Sequence, residues 1–524
     1  MNRVKLYDTT LRDGAQSEGI SFTVSDKLRI ASKVDALGLG YIEGGWPGSN
    51  PKDMEFFRKA KHLKLNNSRV VAFGSTRRAR TKVSEDANVN ALLKTDTEII
   101  TIFGKSWDLH VKEVLKVTLD ENLELIEDTI KYLKSKGRKV FYDAEHFFDG
   151  YIRNPQYALK TVSVAEKSGA DIVILCDTNG GMITSEVFKV IRDVREKLKV
   201  PLGMHAHNDS DMAVANSIAA VQAGCTHVQG TINGYGERCG NANLISVIAN
   251  LKTKLGIDCI SDISLRELSE ASKFVSEIAN LRHMDNQPFV GNSAFAHKGG
   301  IHVDAILKNP VTYEHIEPTK VGNRRRVLIS ELSGKSSITA KAKELDLELK
   351  KDTDRAKKIL NLVQNMEHKG YHFEVAEASL ELLMKRAKKE FKDFFKLQDF
   401  RVIIEKRPKG KITSEATIKL KVKGSLEHTA SLGDGPVNAL DNALRKALKD
   451  FYPNLSQMHL SDYKVRVLDE KEGTAAKVRV LIQSQDKKDS WWTVGVSENI
   501  IEASWEALVD SVEYKLLKDS QKQS

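Results

Sequence analysis

Residues 171–178 read DIVILCDT and residues 201–207 read PLGMHAH. Each is an apolar run of strand length, and the stretch between them is long enough for the crossover helix that parallel neighbours require. The same unit recurs along the chain. Runs of this kind begin at VKLYDTT (4), YIEGGW (41), RVVAFGS (69), EIITIFG (98), KVFYDAEHF (139) and THVQGTINGYG (226), making eight before residue 240. Between them, stretches such as KLRIASKVDALGLG and NLELIEDTIKYLKSKG place apolar residues at helical spacing. Eight strand and helix units predict an α/β fold, a closed parallel (β/α)8 or TIM barrel. An open doubly wound sheet would need a glycine-rich turn after the first strand, where TTLRDGAQ stands instead.

Such a barrel takes about 250 residues, so a chain of 524 residues holds more than one core. The barrel is expected over 1–285. Beyond it a loop-rich stretch, NQPFVGNSAFAHKGGIHVDAILKNPVTYEHIEP, leads into Lys-rich and Glu-rich helices, read as a connector over 286–397 without a core of its own. From 398 two similar units follow, each of three strands and a helix, ending in ASLGDGP with VNALDNALRKALKDF and in WWTVGVSENI with IEASWEALVDSVEYKLL. Neither buries enough apolar area alone, which predicts one α+β domain of (βββα)2 type over 398–524. The basic stretch MKRAKKEFKDFFK reads as an amphipathic helix with Phe391, Phe394 and Phe395 on its apolar side.

No run approaches the roughly 18 unbroken apolar residues of a membrane helix, so no membrane partner is expected. The opening MNRVKLYDTTLRDG lacks the zones of a secretory signal, which argues for the cytoplasm. Cys176, Cys225, Cys239 and Cys259 show no paired spacing and read as buried thiols. A net charge of +10 suits nucleic acid or anionic small substrates alike. No aromatic stacking platform on a basic groove is visible, so no nucleic-acid partner is expected.

Catalytic groups in such a barrel sit at the C-terminal ends of the strands. Those ends carry Arg12-Asp13-Gly14, Glu145-His146, Asp177-Thr178, His205-Ala206-His207 and the run from Glu237 to Asn241. Residues i and i+2 of a strand project to one face, so His205 and His207 can turn both imidazoles to one point. Two imidazoles and a carboxylate suit a divalent metal ion (Mn2+, Mg2+ or Zn2+), with Asp13 and Asn241 supplying oxygens from the first and last strands. Paired core histidines are the plainer alternative.

YDTTLRDGAQ at 7–16, HAHND at 205–209 and GERCGNANL at 236–244 together resemble the family of isopropylmalate, homocitrate and citramalate synthases, related by its barrel to hydroxymethylglutaryl-CoA lyase. The resemblance runs almost end to end, because these synthases also carry a loop-rich connector and a regulatory domain of βββα repeats. DAEHFFDGY at 143–151 and IEGGWPGSNPKD at 42–53 look most like the longer citramalate-forming members. The resemblance implies a metal-dependent acyltransferase that condenses acetyl-CoA with pyruvate and water to give citramalate and CoA for isoleucine synthesis. Its alternatives are condensation onto 2-oxoisovalerate and an aldol-type acyl-CoA lyase, although lyases of that type lack the βββα repeat.

Roles follow from the same resemblance. Arg12 would stabilise the alkoxide forming on the ketone oxygen, its alternative being an ion pair with Glu43 or Glu145. Thr178 would donate to the keto-acid carboxylate, or else cap the next helix, and Gln16 would join it in binding substrate. Glu145 is the barrel's candidate base for the acetyl methyl proton. Family members bring a histidine from the neighbouring subunit's connector, and GGIHVDAILKNPVTYEHIEP places His302 and Tyr313 there, implying a homodimer with exchanged connectors in which the proton is removed by His302, oriented or charged by Glu145, or by Glu145 directly or through water. His297 reads as structural or substrate-adjacent, and His146 as facing the layer behind the site. Phe103 and Trp46 are expected to exclude keto acids longer than pyruvate, with ordinary packing as the alternative. Asp143 or Ala144 stands where shorter members carry a tyrosine. Gly433, Asp434, Gly435, Pro436 and the turn before Asn499-Ile500 resemble loops that bind a branched-chain amino acid, here isoleucine. A pure dimerisation module is the alternative.

Overall fold

The computed structural model describes residues 3–330, 333–345, 353–388, 391, 393–406, 408, 410–468, 476–487 and 489–521. The chain divides into two compact units, 1–295 with 316–325, and 296–315 with 326–524.

The first unit is a closed parallel barrel of β1 (Lys5–Asp8), β2 (Tyr41–Gly45), β3 (Arg69–Ser75), β4 (Ile99–Lys105), β5 (Lys139–Glu145), β6 (Ile172–Asp177), β7 (Leu202–Ala206) and β8 (His227–Gly230). Each strand starts within one residue of the position read from the sequence. Every residue of β6 is buried, as expected of a strand covered on both faces. The helix Thr184–Lys197 that follows buries Val187, Val190, Ile191 and Val194, an i, i+3, i+4, i+7 stripe that packs its inner face. At roughly 1.5–3 kcal/mol for each fully buried side chain, such stripes fasten the helices to the sheet. Inside the barrel Tyr7, Tyr41, Val71, Ile99, Phe141, Ile172, Ile174 and Cys176 form one buried cluster. Tyr7 pairs in register with Gln229, and Lys5 with His227, which aligns the inward residues of the first and last strands.

In the second unit β9 (Ala296–His297) pairs with β10 (Arg326–Val327). The connector is packed through a shared core, since Val303, Ile338, Ile359, Val363, Phe373, Leu380 and Met384 join one buried cluster with Val494 of the last sheet. Its lysines and glutamates had masked amphipathic helices in which Ala356, Ile359 and Val363 share one face. Two antiparallel sheets follow, β11 (Phe395–Glu405), β12 (Thr413–Val422) and β13 (Ser425–Gly433), then β14 (His459–Val467), β15 (Val478–Gln485) and β16 (Ser490–Ser497). Each is completed by a helix, Pro436–Leu448 and Ile500–Gln521. Ile418, Leu420, Leu440 and Leu444 of the first repeat share a cluster with Ile482, Trp491, Trp505 and Leu508 of the second. The repeats therefore bury a common core.

The helix expected around residue 390 is corrected. Helix Glu377–Lys388 ends before the phenylalanines, and Phe395 is the buried first residue of β11. The Glu513 carboxylate accepts the N–H groups of Phe394 at 3.0 Å and Phe395 at 3.4 Å, which fixes the chain extended there. Cys239 is exposed, unlike the other three cysteines, because it lies on the loop beyond β8. Among the described residues no helix is long and apolar enough to cross a membrane.

Candidate active site

At the C-terminal mouth of the barrel Asp13, His205 and His207 bring one ligand atom each within 4.8 Å of one another, all buried. Asp13 Oδ2 lies 3.4 Å from His205 Nε2 and 3.9 Å from His207 Nε2. Asn241 is also buried and forms a bridge pair with His207. Asp13 Oδ1, His207 Nδ1 and Asn241 Oδ1 have no hydrogen-bond partner despite burial. Stranded polar atoms of this kind cost about 1–3 kcal/mol each unless something else satisfies them. The donor set fits a divalent cation, with two imidazole nitrogens and two oxygens.

The protonation states of Asp13 and His207 favour a cation as well. Burial works against the Asp13 carboxylate, yet Arg12 and His205 hold it well below the usual carboxylate range. Burial and the neighbouring His205 push His207 down to about 4, so its imidazole is neutral. For His205 burial is outweighed by Asp13, and its basicity is raised. A buried chain orients this ring, because Asp143 Oδ1 accepts Gln229 Nε2–H at 3.0 Å and Gln229 Oε1 lies 2.9 Å from His205 Nδ1. With the amide nitrogen committed to Asp143, its oxygen accepts the Nδ1–H and Nε2 is turned toward Asp13. Burial raises Asp143 itself to about 7.

Arg12 pairs with Glu43, not with Glu145. Its Nε donates to Glu43 Oε1 at 2.5 Å, its Nη1 lies 3.5 Å from Asp13 Oδ2, and its guanidinium stacks 3.8 Å from the centre of the Phe73 ring. Glu43 is held in turn by the Tyr7 hydroxyl at 2.6 Å. A half-buried cation is thus fixed on three sides next to the candidate metal ligands.

Glu145 forms an ion pair with Lys105, its register partner on β4. Thr178 does not cap the next helix, whose N-cap is Ile183. Its Oγ1 accepts the His146 N–H at 2.8 Å, which leaves the hydroxyl hydrogen free to donate. His146 sits in the left-handed region at φ 54° and belongs to a cluster, with its Nδ1 3.2 Å from Asp149 and its ring 4.1 Å from that of His110. Gln16 is exposed, and it lines a cavity of about 220 Å³ together with Arg12 and Trp46. Phe103 and Trp46 meet edge to face at 5.5 Å, and Phe73 stacks on Phe103 at 5.4 Å.

His302 and Tyr313 belong to the second unit, where their rings stack 4.2 Å apart. Both are exposed, beside Ile301 and Val311, which are 82% and 80% exposed. His297 pairs with Glu314 at 3.2 Å. Gly433 ends β13, Asp434 and Gly435 form the turn, and Pro436 begins the helix. A Cβ at Gly433 would lie 2.3 Å from the Ala439 nitrogen, so strand and helix meet there only through glycine. Asn499 accepts the N–H of Ile501 at 2.9 Å at the start of the last helix.

Gln229, Lys105 and Phe73 escaped the sequence reading. Period-two alternation flags all three as inward or strand-end positions, but their partners are set by register between strands far apart in the chain.

Residues 3–275 match the HMGL-like family, 289–370 the homocitrate synthase post-HMGL domain-like family, and 374–516 the LeuA allosteric (dimerisation) domain. The chain is 57% identical to an (R)-citramalate synthase of Geobacter sulfurreducens and 56% identical to one of Aquifex aeolicus, each alignment covering 99% of both chains. It is 32% identical to a 2-isopropylmalate synthase of Methanocaldococcus jannaschii over 99% of this chain and 95% of that one.

Proposed function

From the premise that the chain belongs to the (R)-citramalate synthase family, we propose that it condenses acetyl-CoA with pyruvate and water to give citramalate and CoA, a metal-dependent acyltransferase reaction. The observation that carries this reading is the buried Asp13, His205 and His207 cluster with Arg12 fixed beside it. The test is CoA release from acetyl-CoA by the Mn2+-supplemented protein with pyruvate and with 2-oxoisovalerate, run beside His205→Ala.

Asp13, His205, His207 and Asn241 would hold the divalent ion. When bound, it supplies Lewis acidity to the ketone carbonyl of the keto acid. Arg12 presents its guanidinium to the ketone oxygen and stabilises the alkoxide that develops there, and its fixed position avoids reorganisation during the reaction. The Thr178 hydroxyl donates to the keto-acid carboxylate, and Gln16 flanks the entrance. Glu145 accepts the methyl proton of acetyl-CoA, with its ion pair to Lys105 aiming the carboxylate. Attack of the resulting carbanion on the ketone carbon forms the new C–C bond. Hydrolysis of the citramalyl thioester then releases CoA.

In an exchanged homodimer, His302 and Tyr313 of one subunit would complete the barrel site of the other. Their exposed rings and the exposed Ile301 and Val311 support this reading. The match to an allosteric (dimerisation) domain supports effector binding in this part of the chain, and we propose the Gly433–Pro436 loop as its place and isoleucine as the effector. We read 1–285 as the catalytic barrel, 286–397 as the connector and 398–524 as the regulatory domain of a cytoplasmic enzyme. Trp46 and Phe103 wall the site against longer keto acids.

A further inference from the structure

We infer that Asn88, which lies outside the proposed catalytic set, sets keto-acid selectivity by locking the Trp46 indole into the wall beside Arg12. The inference rests on the keto-acid reading above and names the residue that makes the wall rigid.

Trp46 is held at both ends. Its backbone N–H donates to Asp53 Oδ2 at 2.9 Å, and its indole Nε1–H donates to Asn88 Oδ1 at 2.6 Å. Asn88 is itself oriented, because its Nδ2 donates to the Ser75 carbonyl at 2.9 Å and leaves only the oxygen for the indole. It stands at the second position of helix Ala87–Lys94, whose N-cap Asp86 accepts the Val89 N–H at 2.9 Å, so the backbone carrying the amide is fixed.

Two glycines make room for this bond. A Cβ at Gly48 would lie 3.1 Å from Asn88 Oδ1 and 3.5 Å from Trp46 Nε1, and one at Gly74 would lie 3.0 Å from Asn88 Oδ1. So placed, the indole meets Phe73 edge to face at 5.9 Å and Phe103 at 5.5 Å, closing three rings around each other. Phe73 carries Arg12 on its other contact, which connects the box to the group that faces the ketone oxygen. An aromatic wall excludes a branched side chain only if it cannot swing away. The alternative indole rotamer abandons this part-buried hydrogen bond, and that loss is what makes the wall stiff.

The test is calorimetric titration of pyruvate and 2-oxoisovalerate into the full-length Mn2+-loaded protein, its Asn88→Ala and Asn88→Asp variants, and Gly48→Ala. Asn88→Asp keeps an acceptor for the indole, and Gly48→Ala crowds the bond without removing Asn88. The expected result is that pyruvate preference, read as the ratio of the two Kd values, falls roughly tenfold in Asn88→Ala and in Gly48→Ala but stays within about threefold of wild type in Asn88→Asp. An unchanged ratio, or equal weakening of both keto acids, overturns the inference and leaves the proposed reaction standing. A wild-type protein that binds 2-oxoisovalerate more tightly than pyruvate overturns the pyruvate reading and this inference with it.

Discussion

Gln229 Oε1 lies 2.9 Å from His205 Nδ1, deep inside the barrel, and turns the opposite ring nitrogen toward Asp13. The orientation of the candidate metal site is therefore built one layer below the ligands. Replacing Gln229 with Met keeps much of its volume and removes both hydrogen bonds. Calorimetric titration of Mn2+ is expected to show roughly 10–100-fold weaker binding in Gln229→Met, whereas Gln229→Glu keeps an acceptor for the ring and loses less. Equal affinity in Gln229→Met would show that His205 needs no such support.

Arg12 combines a carboxylate partner, a ring face and proximity to Asp13, and a lysine cannot reproduce all three. Arg12→Lys is expected to lower kcat by about 10²–10³-fold, as loss of an oxyanion donor does, while KM for pyruvate changes little. Steady-state kinetics at saturating metal separates the two, and a pure KM effect would assign Arg12 to ground-state binding.

The ion pair with Lys105 fixes the position of the candidate base Glu145. Glu145→Gln is expected to slow deuterium exchange into the methyl group of acetyl-CoA by about 10²–10⁴-fold. NMR of acetyl-CoA incubated in D2O with enzyme and a non-condensing pyruvate analogue measures this directly. Exchange at the wild-type rate would move the base to another residue.

His227 is fully buried among Tyr7, Tyr41 and Phe141, and neither ring nitrogen has a partner. Burial, assisted by Lys5, pushes it down to about 3. The unfolded chain binds this proton near the ordinary pKa of about 6.5, so the unfolded state gains protons first as pH falls. Stability from this group is complete above that value and is lost progressively as pH drops toward 3. Between pH 7 and pH 5 the loss is about 2 kcal/mol. Urea unfolding of the barrel is expected to show a smaller acid loss in His227→Leu, and an identical pH slope would contradict the assignment.

In the regulatory domain, Gly435 has an extended φ of −157°, and a Cβ there meets nothing within 4 Å. On the proposal that isoleucine inhibits through this loop, Gly435→Leu is expected to fold and condense normally while weakening that inhibition by about 10-fold, within the usual range of allosteric coupling. Unaltered inhibition would place the effector elsewhere or leave the domain a dimerisation module.

The fold was legible because buried parallel strands read as unbroken apolar runs, and the TTLRDGAQ turn excludes a dinucleotide-binding first loop. His205, His207 and Asp13 were legible because ionisable residues at strand ends are conspicuous among apolar ones. Gln229, Lys105 and Phe73 were not, because each is an ordinary strand residue until barrel closure and register put it against a partner. The packing of the connector against the last sheet was hidden by lysines and glutamates on the outer faces of its helices. The phenylalanines near residue 390 misled for the opposite reason. Their helical spacing is overruled by the Glu513 carboxylate, which holds Phe394 and Phe395 at the start of a strand.

We propose that this barrel joins acetyl-CoA to pyruvate at a metal held by Asp13, His205, His207 and Asn241. The most direct test is CoA release by the purified, Mn2+-supplemented protein with a panel of keto acids, beside His205→Ala. Release that depends on pyruvate and vanishes in the variant is the predicted result. Release that prefers 2-oxoisovalerate, or that survives in His205→Ala, would contradict it.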